Sequence, residues 1–218
     1  MNRDIANEHF ATEVQRTLQR TGHYTGRIDG WAGPATLAAF RGAIPIVAAP
    51  LAARVPSGLV RIILHWTAGG GHPTAHDRKY YHYLIDSDGK AYDGNLPPTA
   101  NISTMDGGYA EHTRGCNAGS IGIAFCGMRG AIERPFAAGP SPLTRAQIDI
   151  GAAFVAGVAD RYGIPITPRT VLSHAEVQPT LGIAQEGKWD ISWLPGMAAP
   201  GDPVAVGNTL RALISQSR

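Results

Sequence analysis

Three short apolar runs limit what this chain can fold into. Val60-Arg61-Ile62-Ile63-Leu64-His65-Trp66 and Ser120-Ile121-Gly122-Ile123-Ala124-Phe125-Cys126 are rich in β-branched and aliphatic residues, and Thr170-Val171-Leu172-Ser173-His174 is a shorter run of the same kind. Runs of this length and composition read as buried strands. Tyr81-His82-Tyr83-Leu84-Ile85-Asp86 adds a strand, Ser87-Asp88-Gly89-Lys90 a hairpin turn, and Ala91-Tyr92-Asp93 the start of the returning strand. The strongest helix signal follows. Thr144 is an N-cap with Gln147 three residues on, as a capping box requires; Ile148, Ala152, Val155, Ala159 and Tyr162 form one face; Gly163 is the stop. A last helix is expected over about 203–216. Strands bracket helices without regular alternation, so the predicted class is α/β, a mixed central β-sheet flanked by helices.

Ahead of the first strand the pattern changes. Residues 8–21 carry Phe10, Val14, Leu18 and Thr21 at helical spacing, with Gly22 as a stop, and Pro34 opens a second short helix bearing Leu37 and Phe40. An Asp29-Gly30 turn lies between them. This predicts a small helical module over 1–42, a Pro- and Ala-rich connector over 43–58, and the main domain over 59–218. A module of that size buries little core alone.

Composition narrows the function. A net charge of +2 is too weak to argue for nucleic acid, although a mildly basic protein is still drawn to an anionic polymer. No stretch is long and apolar enough for a transmembrane helix, and the first residues lack the apolar core of a secretory leader, so synthesis in the host cytoplasm is expected. Cys116 and Cys126 are not in a CxxC pattern and read as two free thiols, with a disulfide as the alternative.

His65 and His174 each end a predicted strand, and Asp190 follows in Lys188-Trp189-Asp190. Two histidines and a carboxylate leave a fourth tetrahedral position open, the arrangement of a catalytic zinc site. Each histidine reads equally well as a satisfied polar residue at a sheet rim, and separations this long carry no local geometry. The residues alone therefore reach a mononuclear zinc hydrolase only as one reading. His72 and His76 are four apart but sit in a Gly/Pro loop, where that spacing means little.

The segments Ile63-Leu64-His65-Trp66-Thr67-Ala68, Tyr81-His82-Tyr83-Leu84-Ile85 with Asp88-Gly89, Asn117 with Ser120-Ile121-Gly122-Ile123, Ser173-His174, and Lys188-Trp189-Asp190 with Pro195-Gly196 occur in that order. With them, the chain from about 60 to 197 resembles the type-2 N-acetylmuramoyl-L-alanine amidases, phage endolysins among them, which share the peptidoglycan recognition protein fold. The resemblance implies one Zn2+ per chain on His65, His174 and Asp190, and hydrolysis of the amide between N-acetylmuramic acid and L-alanine. It implies that Tyr81 and Lys188 stabilise the oxyanion, and it places His112, Asn117 and Trp66 at the substrate groove. His82 follows Tyr81 on the opposite strand face and reads as structural. One departure is Ala124, where many members carry a glutamate base; Glu176 and Glu111 are the candidate stand-ins. Another is the stretch between Thr67 and Tyr81, which is expected as a short open loop where members often have a helix.

The pattern Val14-Gln15, Leu18-Gln19, Gly22-His23-Tyr24, Gly26, Ile28-Asp29-Gly30 and Gly33-Pro34-Ala35-Thr36 resembles the peptidoglycan-binding repeat found beside wall hydrolases. The expected partner is bacterial peptidoglycan, met by a monomeric enzyme of endolysin type that reaches the wall after release across the membrane. The alternatives are a non-catalytic peptidoglycan-binding protein on the same fold and a cytoplasmic wall-recycling amidase.

Overall fold

A computed structural model of the chain describes residues 15, 19, 24–29 and 58–218. The chain divides into two compact units, Met1–Ala53 and Arg54–Arg218. In the first, Gln15 and Gln19 are helical. The Gln15 side chain donates to Asp29 Oδ1 at 2.8 Å and accepts from the Asp29 N–H at 3.1 Å. Tyr24 is buried, and its hydroxyl donates to the Arg27 carbonyl at 2.9 Å. The second short helix, expected from Pro34, and the connector lie outside the described residues, apart from Gly58 at the connector's end.

The second unit contains strands β1 (Arg61–Trp66), β2 (Tyr83–Ile85), β3 (Ala91–Asp93), β4 (Ser120–Phe125) and β5 (Val171–Ser173). Its helices are α1 (Asp77–Tyr80), α2 (Arg145–Tyr162), α3 (His174–Leu181) and α4 (Pro203–Gln216), with a 3-10 turn at Pro98–Ile102. The five strands form one sheet in the order β3-β2-β4-β1-β5. β1 runs parallel to β4 and β5, β2 parallel to β4, and β3 returns antiparallel along β2. The predicted mixed sheet with flanking helices is the observed architecture.

Side chains alternate between the faces of a strand, and here the two faces differ. Ile62, Leu64 and Trp66 of β1 join Ile121, Ile123 and Phe125 of β4 in the main core, with Ile148, Ala152, Val155, Ala159 and Tyr162 of α2 and Leu210 and Ile214 of α4. The other side holds a small cluster of Ile63, Cys116, Leu172 and Val177. His65, two residues after Ile63, lies on that side.

α2 begins at the expected capping box of Thr144 and Gln147 and ends at Gly163, in the left-handed region at φ 66°. Three expectations change at the level of elements. β2 is shorter than 81–86, because Tyr81 is the C-cap of α1. The expected open loop contains that one-turn helix, whose Asp77 carboxylate accepts from the Thr74 N–H and hydroxyl at 2.8 and 2.7 Å. His174 opens a helix where a strand end was expected. Ser173 caps α3 by accepting from the Glu176 N–H, and the Glu176 carboxylate accepts from the Ser173 N–H. Cys116 and Cys126 are both free and buried. Among the described residues, no helix is long and apolar enough to cross a membrane.

Candidate active site

The site forms where β1, α3 and the loop after α3 meet. β1 delivers His65 from a fully buried position, and the α3 cap turns the chain so that His174 leads the helix beside it. The Ala175 N–H donates to the Asp190 carbonyl at 3.3 Å, holding the loop against the first turn of α3. Ile191, next to Asp190, is buried at φ 63°, a conformation that β-branched residues rarely adopt. Strain of this kind gathers at functional sites, where the surroundings over-determine it.

His65 Nδ1 lies 3.1 Å from His174 Nδ1. Asp190 Oδ2 lies 3.6 Å from the first and 3.5 Å from the second. Among the described residues these three form a group able to hold a metal ion, their ligand atoms all within 4.8 Å of one another. Burial pushes His65 down to about 4, against the pull of Asp190. A neutral imidazole, as at His65, is the form in which a histidine ligates a divalent metal.

Tyr81 lies against this group, its ring centroid 5.1 Å from that of His65. Burial, and then the Asp190 charge, push its phenol upward, so it remains a proton donor. Lys188 is solvent-exposed two residues before Asp190, and its charge is one of the smaller influences opposing protonation of His65.

The other expected residues are placed differently. His112 is buried against His65, with Nδ1 3.3 Å from His65 Nε2 and Nε2 3.3 Å from the Ser120 carbonyl. Its ring occupies space left by Gly122, where a Cβ would sit 2.5 Å from it. Trp66 faces the opposite side of β1 and packs edge-to-face on Trp189 in the main core. Asn117 organises its own loop, accepting from the Thr113 N–H at 2.7 Å. His82 is structural, as expected: Nδ1 accepts from the Gly122 N–H at 2.9 Å and Nε2 lies 3.0 Å from Asn101 Oδ1. Burial pushes His82 down to about 4, and burial with its histidine neighbours holds His112 well below the usual range.

Of the two stand-ins for the missing glutamate, Glu176 is not free to act as a base. Glu176 is fully buried and committed to the α3 cap and to Arg211, 2.8 Å away, in space left open by Gly207. Glu111 is exposed. Ala124 pairs in register with His65 and is fully buried. Two further residues touch the ligands: Gln185 Oε1 is 2.8 Å from His174 Nε2, and Thr113 Oγ1 is 3.3 Å from His65 Nε2. Neither sits in a sequence pattern that would have singled it out.

Residues 58–196 match the N-acetylmuramoyl-L-alanine amidase family called Amidase_2. No curated protein matches the chain. Among solved structures, LysC, an N-acetylmuramoyl-L-alanine amidase from Clostridium intestinale URNW, is similar at 18% identity and TM-score 0.41, covering 70% of this chain and 87% of that one. Drosophila peptidoglycan recognition protein SD is similar at 20% and 0.38, covering 54% and 70%. The E. coli amidase AmiD, solved with anhydro-N-acetylmuramic acid-L-Ala-D-gamma-Glu-L-Lys, is similar at 20% and 0.40, covering 56% of this chain and 51% of that one. The family match spans more than half of the chain and includes the whole sheet, His65, His174 and Asp190. The chain therefore belongs to the N-acetylmuramoyl-L-alanine amidase family, and its activity is that of a peptidoglycan amidase.

Proposed function

We propose that this amidase is zinc-dependent, that it cuts the bond between N-acetylmuramic acid and L-alanine, and that it serves as a wall-lysing enzyme of phage or prophage endolysin type. The observation carrying the metal reading is the convergence of His65 Nδ1, His174 Nδ1 and Asp190 Oδ2 within 4.8 Å. Two imidazole nitrogens and one carboxylate oxygen are the donor set of a catalytic zinc with a position left for substrate or water. Zinc held there supplies a Lewis acid for the scissile carbonyl and lowers the pKa of water to about 7.

Two of the chain's own groups are placed to stabilise the charge that develops. Tyr81, kept protonated by burial and by Asp190, has an O–H to donate to the carbonyl oxygen as negative charge develops. Lys188 brings a cation on the loop that also carries Asp190, so ligand and charge arrive together. The region 1–42 supplies a wall-binding module, a reading supported by its repeat-like pattern and by the Gln15–Asp29 brace within it. Such a module raises the enzyme's effective concentration on a polymer, which suits wall lysis better than the trimming of small soluble fragments.

Mass spectrometry of purified sacculi after digestion tests the reading. Stem peptides with a free L-alanine amine should appear, paired with glycan bearing a free lactyl carboxylate. Chelation should stop their release and added zinc restore it. Full activity after exhaustive metal removal would remove the zinc mechanism, and cut glycan with intact stems would remove the assigned bond.

A further inference from the structure

We infer that Gln185 is a positioning residue that locks His174 in the tautomer protonated on Nε2, so that Nδ1 is presented to the metal. This rests on the zinc reading above and extends it to a residue outside the ligand set.

The lock follows from which way the Gln185 amide must face. Its side-chain nitrogen donates to the Arg114 carbonyl at 2.9 Å and reaches the Ile183 carbonyl at 3.4 Å. Turning the amide over would set its oxygen against two carbonyl oxygens in a buried position, leaving buried acceptors unpaired. The backbone resists adjustment as well, because the Gln185 N–H donates to Gln178 Oε1 of α3 at 3.0 Å. Oε1 is therefore the atom that meets His174 Nε2 at 2.8 Å. An amide oxygen only accepts, so the proton sits on Nε2 and the Nδ1 lone pair points at His65 and Asp190.

The alternative shows what Gln185 prevents. With its proton on Nδ1, His174 would donate to His65 Nδ1 at 3.1 Å or to Asp190 across 3.5 Å, and set its Nε2 lone pair against Gln185 Oε1 at 2.8 Å. That pairing would satisfy ligand with ligand and compete with the metal. Gln185 makes it costly and keeps the site ready. The second imidazole is held by the same logic. The Ser120 carbonyl requires a proton on His112 Nε2, which leaves His112 Nδ1 as an acceptor for His65 Nε2–H. Both chains end on main-chain carbonyls, which cannot change role. A ligating histidine whose other nitrogen donates to such a partner binds metal more tightly, and loss of the partner typically costs about 10–100-fold in metal affinity.

Ring-nitrogen NMR on 15N-labelled, metal-free protein at pH 8 reads the tautomer directly, and competition against a chelator of known strength reads zinc affinity. Wild-type His174 should appear as the Nε2–H form. Gln185→Met keeps volume but removes the acceptor; it should populate the Nδ1–H form and weaken zinc binding by about 10–100-fold. Gln185→Glu returns an acceptor oxygen to His174 Nε2 and should restore the Nε2–H form even though its second oxygen, set against the Arg114 and Ile183 carbonyls, lowers stability; a merely structural residue would not give that split. A wild-type His174 found as Nδ1–H would overturn the inference, as would a Gln185→Met protein unchanged in tautomer and affinity. Should Gln185→Met fail to fold, the wild-type tautomer and the Gln185→Glu protein still decide. A wild-type protein with the Nε2–H form but no zinc affinity would instead sink the metal reading and leave the lock standing.

Discussion

The two faces of the sheet are built from the same strands by different rules. On the helix-covered face, Ile62, Leu64, Ile121, Ile123 and Phe125 meet α2 and α4 mainly through apolar contact. On the site face, His65 stands among Ser120, Gly122 and Ala124, and the residues around it are fixed one hydrogen bond at a time. A face held by volume tolerates exchange among side chains of similar size. A face held by named donors and acceptors does not, because each lost partner leaves a buried polar group unpaired. Gly122 shows the difference: a single added methyl there would meet the His112 ring at 2.5 Å, while the residues on either side of it point into an ordinary apolar core. Mutations should therefore separate by face, one set changing stability and the other changing the site.

The largest separation should come from Phe125, fully buried where Gly151 lets α2 approach its ring. Phe125→Ala should cost about 3–5 kcal/mol of stability in denaturant titration. Zinc affinity of the folded protein should stay within a few-fold of wild type. If affinity fell in step with stability, the two faces would not be independent.

Next in size is the converse case. Lys188→Ala should lower kcat on a defined muramyl-peptide by about 10²–10³, or roughly 2.7–4 kcal/mol of barrier. Melting temperature and zinc content should hold, because the side chain is exposed and belongs to no core. An unchanged kcat would make Lys188 an ordinary solvated cation and leave Tyr81 as the chain's donor to the oxyanion.

The covered face was the legible one. The capping box at Thr144, the apolar stripe from Ile148 to Tyr162, the stop at Gly163 and the last helix all stand where local pattern puts them. Local pattern also held a signal for α3: Ser173 and Glu176 have capping-box spacing, yet the apolar run into Ser173 reads as a strand that continues through His174. On the site face, pattern was not enough. His65, His174 and Asp190 are brought together by tertiary structure across 125 residues, and only the family resemblance joined them. Trp66 sits in a matching segment, but strand alternation sends it into the core; His112, on the loop before β4, packs against His65 itself. Gln185 touches His174 from a loop with no periodicity at all. Its role depends on the carbonyls of Arg114 and Ile183, which no side-chain pattern encodes.

Gln147 sharpens the comparison, because it performs on the covered side the task Gln185 performs at the site. Its amide nitrogen donates to the Ile85 and Cys126 carbonyls at 2.9 and 3.0 Å, while its oxygen accepts from the Thr144 N–H. The acceptor side caps a helix instead of orienting an imidazole. Gln147→Met should cost about 1–3 kcal/mol, the range for unpairing buried main-chain groups. It should leave the His174 tautomer and zinc affinity unchanged. A loss of zinc affinity matching that of Gln185→Met would mean that buried glutamines act here only through general stability.

The smallest effect per step is a pH dependence that should reach the site face first. His82 is held down to about 4 by burial, against about 6.5 in an unfolded chain. Between those values the unfolded chain binds more protons, so stability rises with pH at up to about 1.4 kcal/mol per unit for this group. Its contribution is complete above about 6.5 and is lost as pH falls through about 4. His65 and His112 shift in the same direction, so the global slope is shared, but a local readout isolates His82. The Gly122 N–H donates to His82 Nδ1, and protonation removes that acceptor. Hydrogen exchange at Gly122, corrected for the intrinsic pH dependence of exchange, should lose protection between pH 6.5 and 4 before the amides of α2 do. Equal loss at Gly122 and at Val155 of α2 would show that acid unfolds both faces together. An early loss confined to Gly122 would show that the polar face, held by single hydrogen bonds, yields while the packed face persists.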